Sequence, residues 1–262
     1  MEIKEFVNMR KQTLKNQIAS MDKKPTLMII QANDDPASNA YVRGKLKDGD
    51  EIGANVILNK VDPLISQEEL LKIIDKYNND SSIDGLIVQL PLGKHINEDV
   101  IKLAVSPKKD IDGFHPLSSF IPCTPKGIVS YLENEGFTFS GKNAVVLGRS
   151  NIVGKPMARL LLSRSCNVTV LHSKTSIEDK KFYIKHANLI VVAIGKEGFL
   201  NNDFEYNKDC YVVDVGINRG VDGKLHGDAI PNLPVKLQTP VPGGVGLLTR
   251  LALLENLMEA CR

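Results

Sequence analysis

The stretch Val145-Val146-Leu147-Gly148-Arg149-Ser150-Asn151-Ile152-Val153-Gly154-Lys155-Pro156 constrains the fold more than any other part of this chain. An apolar run suited to a buried strand ends at Gly148. A second glycine follows at Gly154, and Pro156 stands where the first turn of a helix tolerates proline. A strand that passes through a glycine-bracketed turn into a helix offers backbone N–H groups to a phosphate. The pattern reads G-x-S-x-x-x-G rather than the usual dinucleotide fingerprint, and Arg149 directly follows the first glycine. A cation there suits a cofactor with an extra phosphate, which points to NADP rather than NAD. Any strand-to-helix turn that uses glycine looks much the same, so the assignment needs support from other residues.

Elsewhere the apolar pattern alternates between strand and helix periods. Residues 2–20 read as an amphipathic helix and 27–30 as a buried strand, and Asp34-Asp35-Pro36 reads as a capped helix start leading to about residue 52. Strands at 55–60 and 85–90 and helices at 68–77 and 97–104 follow. Pro107, Pro116, Pro122 and Pro125 then break the rhythm and mark a boundary. Beyond it come a helix at 126–135, apolar runs at 144–147, 168–171, 189–194 and 211–215, and helices at 153–164 and 177–187. Residues 239–246 mix proline and glycine too densely for a regular element, and 247–261 form a Leu-rich closing helix. This order predicts an α/β protein of two domains with mainly parallel sheets. Residues 1–118 with 247–262 make one domain, and 119–246 make a Rossmann-type nucleotide-binding domain. Open parallel sheets bind ligands beyond the carboxyl ends of their strands. The strand ends near Tyr41, Gln89 and Gly148 are therefore expected to face each other across a cleft.

Composition narrows the function. With a net charge of +2 the chain lacks the basic excess that bulk nucleic-acid binding requires. Its four cysteines, Cys123, Cys166, Cys210 and Cys261, are scattered without a C-x-x-C pair, which argues against zinc and disulfide frameworks. The histidines His95, His115, His172, His186 and His226 show no metal-ligand spacing, and no metal is expected. The first ten residues carry four charges and no apolar core of signal length, and no run approaches a membrane span. These features predict a soluble cytoplasmic protein without membrane or nucleic-acid partners.

Four places could carry chemistry. Tyr41 and Lys45, four apart on a helix, share a face on which a flat heteroaromatic substrate could lie with its reactive atom at the amine. A lysine base acts in its neutral form, which burial or a neighbouring cation can favour. From spacing alone, a surface tyrosine and lysine on a solvated helix is the commoner origin of such a pair. Gln89 ends an otherwise apolar strand and, if buried, needs partners, either Lys45 or substrate or loop backbone. In Lys109-Asp110-Ile111-Asp112-Gly113-Phe114, Asp112 could accept paired N–H donors from an amino-heterocycle, or simply form an Asp-Gly turn. After the strand at 168–171, where an NAD site places an acid, stand His172, Ser173, Lys174 and Thr175. Ser173 and Lys174 suit a 2′-phosphate, and a polar loop is the plainer alternative. Residues 191–195 are expected to bring backbone close to the cofactor.

Taken in order, these motifs resemble the bifunctional methylenetetrahydrofolate dehydrogenase/methenyltetrahydrofolate cyclohydrolase family. The resemblance runs through Asp34-Asp35-Pro36-Ala37-Ser38 with Tyr41-Val42-x-x-Lys45, Val88-Gln89-Leu90-Pro91-Leu92, Lys109 to Phe114 and Pro122-Cys123-Thr124-Pro125-Lys126-Gly127. It continues through Gly148 to Pro156, Asp214-Val215-Gly216-Ile217-Asn218 and Thr239 to Gly246. It implies oxidation of 5,10-methylene-tetrahydrofolate with NADP⁺ and hydrolysis of the methenyl product to 10-formyl-tetrahydrofolate, or a mainly dehydrogenase enzyme with weak cyclohydrolase activity. By the same resemblance Lys45 is the catalytic lysine, Gln89 tunes it, Tyr41 stacks on the folate and Asp112 anchors the pterin. Gly148, Arg149, Ser150, Ser173 and Ile217 match cofactor-binding positions. A homodimer, and a last helix packed on the folate-binding domain, are implied as well. The chain departs from the family pattern at Gly93, at Ser118, Ser119 and Phe120, and at Leu247 and Leu248, which puts the shape of the folate pocket in question.

Overall fold

The structure is a computed structural model and describes residues 1–261. Its elements run α1 (Ile3–Ala19), β1 (Thr26–Gln31), α2 (Pro36–Ile52), β2 (Asn55–Lys60), α3 (Gln67–Asn78), β3 (Gly85–Gln89), α4 (Glu98–Ala104), α5 (Cys123–Asn134) and β4 (Asn143–Leu147). They continue α6 (Gly154–Ser163), β5 (Asn167–Leu171), α7 (Ile177–Lys185), β6 (Leu189–Val192), β7 (Tyr211–Asp214), β8 (Asn218–Arg219), β9 (Leu225–His226), β10 (Leu237–Gln238) and α8 (Val245–Ala260). The chain divides into two compact α/β units.

The first unit holds Val7–Cys123 and the segment from Arg250 on. Its sheet is parallel, in the order β2-β1-β3. All six residues of β1 are buried, as a central strand covered on both faces requires. Leu27, Ile29, Val42 and Ile87 form one core layer with Ala252, Leu253 and Leu257 of α8. The largest of these side chains each contribute about 1.5–3 kcal/mol of burial. Met28, Ile30, Leu86, Leu70 and Ile74 form the layer on the opposite face. Helix α2 begins where its sequence says: Asp35 caps it by accepting the Ser38 N–H at 2.7 Å, Pro36 occupies the first turn, and Gly53 ends it at φ +82°. Helix α3 opens with a capping box of Ser66 and Glu69.

The second unit holds Met1–Phe6 and Thr124–Thr249. Its five-stranded sheet runs β10-β7-β6-β4-β5, all parallel. A small antiparallel pair, β8 with β9, lies outside it. From β4 the chain moves to β5 on one side and then to β6 on the other. The carboxyl end of β4, where Gly148 begins the turn, is therefore the topological switch point at which such sheets bind ligands.

Relative to the boundaries anticipated from sequence, the chain passes between units a few residues later at each junction. Cys123 packs with β1 and α8 in the first unit, whereas Val245 and Leu248 are buried in the second. The first six residues join the second unit because Phe6 stacks edge-on against Tyr131 and the Tyr131 hydroxyl donates to the Met1 carbonyl. Three short strands, β8, β9 and β10, were not anticipated. The closing helix starts at Val245, inside the stretch read as irregular.

Candidate functional site

In the first unit the site is built at the carboxyl end of the sheet. Gln89 is the last residue of β3 and pairs in register with Gln31 of β1. Asn33, just past β1, donates its amide to the Gln89 carbonyl at 3.3 Å and the Pro91 carbonyl at 2.9 Å, joining the two strand ends. Helix α2 rises from the same end. Tyr41, Gly44, Lys45 and Asp48 share one of its faces, being spaced by three and four residues. The Lys45 amine donates to Gln89 Oε1 at 3.0 Å. Gln89 Nε2 in turn donates to the Leu90 carbonyl at 2.8 Å, which fixes the amide with its oxygen toward the lysine. The structure thus brings Lys45 and Gln89 together, on the face that carries Tyr41.

Two neighbours shape that face. The guanidinium of Arg250 lies against Gly44, where a side chain would have no room, and its Nε stands 3.0 Å from Asp48 Oδ2 as an ion pair. Asp48, almost fully buried, is held on its other oxygen by the Lys11 amine at 2.6 Å. Burial raises the pKa of the Tyr41 hydroxyl above its usual value, with the Arg250 charge pulling back against it. Tyr41 therefore presents a neutral, half-buried ring.

Asp112 is half-buried in the loop after α4, with Cys123 Sγ 3.7 Å from its Oδ1. It lines a small cavity with Leu90, Asp110 and Phe114. Gly113 adopts φ +74° there, with the Phe120 carbonyl and Pro122 against it, so no side chain fits. Asn256 of α8, fully buried, donates to the carbonyls of Ile111 and Ile121 and pins the loop from behind. Burial lifts the Asp110 carboxyl to about 6, against the pull of the His115 N–H, which it accepts at 2.7 Å. The departures from the family pattern have local uses. Ser118 donates to the Asp110 carbonyl, Phe120 packs on the β1 core, the His95 ring fills the space over Gly93, and the Leu248 backbone packs against Gly127.

In the second unit a cavity of about 560 Å³ opens at the end of β4, a volume typical of small-molecule sites. Gly148, Arg149, Ser150 and Ser173 line it together with Ala193 and Ile194. Ile217 is exposed and is not among the lining residues. Gly148 sits at φ +115° under the Ala193 carbonyl, and Gly154 sits against the Gly148 carbonyl, so neither position has space for a Cβ. The helix start differs from the expectation of free donors. Ser150 Oγ accepts the N–H groups of Val153 and Gly154, and the Ser150 carbonyl accepts that of Lys155. Anion recognition shifts accordingly toward side chains. Arg149, Lys180 and Lys196 place three cations on the lining, beside the exposed Ser173. A cavity floored by side-chain-free glycine backbone, with three cations on its lining, fits a dinucleotide carrying an extra phosphate. No sequence motif marks Lys180 or Lys196. No cluster of three or more His, Cys, Asp or Glu suited to a metal occurs among the described residues.

Known proteins match both units. Residues 1–112 match the catalytic domain of tetrahydrofolate dehydrogenase/cyclohydrolase, and residues 122–262 match the NAD(P)-binding domain of the same family. The bifunctional protein FolD of Bacillus subtilis is 41% identical, covering 99% of this chain and 96% of its own length. The crystal structure of the bifunctional FolD dehydrogenase/cyclohydrolase from Campylobacter jejuni superposes with a TM-score of 0.93 at 38% identity, over 98% of this chain and 95% of that one. The Trypanosoma brucei enzyme, solved with NADP cofactor and inhibitor, gives a TM-score of 0.93 at 27% identity, over 99% and 96%. With both domain models matched in order over nearly the whole length, this chain belongs to the tetrahydrofolate dehydrogenase/cyclohydrolase family.

Proposed function

We propose that this chain is a bifunctional one-carbon folate enzyme. It oxidises 5,10-methylene-tetrahydrofolate with NADP⁺ to 5,10-methenyl-tetrahydrofolate and hydrolyses that product to 10-formyl-tetrahydrofolate. The observation that carries the reading is the 3.0 Å hydrogen bond from the Lys45 amine to Gln89 Oε1, on the helix face shared with Tyr41. A nucleotide-binding module alone has no use for such a pair, and a dehydrogenase without the second activity has little.

The methenyl carbon is already electrophilic, so hydration needs a group that takes a proton from water and returns one to the departing ring nitrogen. Lys45 does this. Gln89 Oε1 accepts one N–H of the amine and so holds the amine in place. The bond from Gln89 Nε2 to the Leu90 carbonyl keeps the amide from turning its nitrogen to the lysine. Tyr41 supplies a flat surface for the pterin, and Asp112 supplies paired acceptor oxygens for its N–H groups.

In the other unit Gly148, Arg149, Ser150 and Ser173, which line the cavity, hold the cofactor, with Arg149 and Ser173 at the extra phosphate, and the exposed Ile217 side chain reaches it from outside that lining. When bound, NADP⁺ supplies the hydride acceptor. The protein's contribution to that step is placement of the two reacting carbons. The chain acts in the cytoplasm and as a homodimer. Leu162, Val170 and Phe182 support the latter: they lie exposed on the edge strand β5 and its flanking helices, where a second copy would cover them.

An absorbance assay with methylene-tetrahydrofolate and either NADP⁺ or NAD⁺, read before and after acid, separates both activities and the cofactor choice. The reading requires NADP⁺-dependent oxidation and accelerated loss of added methenyl-tetrahydrofolate. Absence of the second sinks the role given to Lys45.

A further inference from the structure

The loop after β6 offers three consecutive backbone N–H groups, from Ile194, Gly195 and Lys196, with Gly195 at φ +66°. Such a run is an anion-binding nest. Here the protein fills it with its own carboxylate. Ile194 and Gly195 donate to Asp228 Oδ2 at 2.7 and 3.0 Å, and Lys196 donates to Oδ1 at 2.8 Å. Asn218 Nδ2 adds a fourth bond to Oδ1 at 2.9 Å. Asp228 is fully buried and forms no salt bridge among the described residues. Four N–H donors therefore offset the desolvation of its charge.

A second acid supports the first. Asp214, 2% exposed, accepts the backbone N–H groups of Gly216, Asp228 and Ala229 at 2.8–3.0 Å, and its own N–H donates to Thr239 Oγ1 at 2.8 Å. Gly216 and Gly227 press so closely on these carboxylates that neither could bear a Cβ. One pair of acids thus ties together the loop after β6, the segment carrying Ile217, and the backbone around 228 and 239. Ile194 and Lys196 line the cavity beside Gly148, and Ile217 immediately precedes Asn218.

We infer that Asp228 is a positioning residue for the cofactor: it anchors the cavity wall at Ile194–Lys196 and, through Asn218, the Ile217 segment, without taking part in hydration. The inference rests on the reading of that cavity as the NADP site. In Asp228→Asn one acceptor oxygen becomes an NH₂ group facing two N–H donors, whichever way the amide turns, while volume is kept.

The test measures NADPH affinity by calorimetry, NADP⁺ kinetics, and methenyl hydration in the full-length protein. Asp228→Asn is expected to weaken NADPH binding and raise the NADP⁺ KM by about ten-fold or more, the size expected for loss of charge-assisted bonds. The kcat at saturating NADP⁺ and the hydration rate should stay within about three-fold of wild type. Asn218→Ala, which removes the fourth donor to Asp228 together with a 3.4 Å bond to the His226 carbonyl, should raise the same KM about three-fold and covers the case in which Asp228→Asn does not fold. Unchanged NADPH affinity in both variants would overturn the inference, as would a parallel fall of both activities in Asp228→Asn with Asn218→Ala unaltered. A wild-type protein that binds no NADPH would instead overturn the cofactor reading beneath it.

Discussion

In the first unit three of the four residues assigned to chemistry stand on regular structure, Tyr41 and Lys45 on α2 and Gln89 at the end of β3, with Asp112 in the loop after α4. In the second, the cofactor turn is shaped by side chains that are missing, since Gly148 and Gly154 each lie where backbone leaves no space for a Cβ. A helix holds its side-chain directions through its own hydrogen bonds, so residues at the right spacing share a face, with Gly44 left bare for Arg250. A turn that must admit a phosphate has to be emptied first.

The contrast breaks most directly at Lys45. Lys45→Met should lower methenyl hydration by about a thousand-fold, within the range of positioned acid–base groups, and leave the NADPH-induced rise in Tm as it is. Near-normal hydration would remove Lys45 from the mechanism, and loss of the NADPH response would show that the two sites are not separable. Gly148→Ala is the mirror experiment. A residue forced to φ +115° under the Ala193 carbonyl must displace that backbone, and NADP⁺-dependent oxidation should fall about a hundred-fold while hydration persists. If hydration falls equally, the turn matters to the whole fold rather than to the cofactor.

Arg149 sharpens the comparison, because it is a side chain working beside a turn that is shaped by bare backbone. Arg149→Ala should lower the NADP⁺-over-NAD⁺ ratio of kcat/KM by about ten-fold and spare oxidation with NAD⁺, as loss of charge-assisted bonds to one phosphate implies. Kinetics with both cofactors check this. An unchanged ratio would shift the phosphate contact to Lys180, Lys196 or Ser173.

What could be read from the chain follows the same division. Strands β1, β2 and β4 and the cap at Asp35 depend on neighbours a few residues away, and periodicity and capping chemistry mark them. The Tyr41–Lys45 face was visible for the same reason, and Gln89 stood out as an amide closing an apolar strand. Arg250 could not be seen, because its place against Gly44 is set by how α8 returns to α2 across most of the chain. Asp228 was equally hidden, since three of its four donors are backbone N–H groups, which carry no sequence signal, and the fourth, Asn218, lies ten residues away. The β8–β9 pair and β10 are two residues long in each strand, too short for a period to register.

The smallest effect concerns the buried acids of the two units. Asp214 accepts three backbone N–H groups, whereas the carboxylate of Asp110 accepts one, from His115. Asp110 is 4% exposed, and burial lifts its pKa from 3.8 to about 6. The folded state therefore binds this proton more tightly than the unfolded chain does. Between roughly pH 4 and 6 the folded protein holds more protons, so this group's contribution to stability declines as pH rises through that window and is flat above it. The full shift is worth on the order of 3 kcal/mol at most, or a few degrees in Tm for a chain of this size. Asp110→Asn keeps an oxygen for the His115 N–H and removes the titration. Its Tm relative to wild type should therefore rise by several degrees between pH 4.5 and pH 7.5, measured by thermal melts in matched ionic strength. A difference that stays constant across that range would mean that the Asp110 charge is already compensated, and that one backbone donor serves a buried carboxylate as well as three.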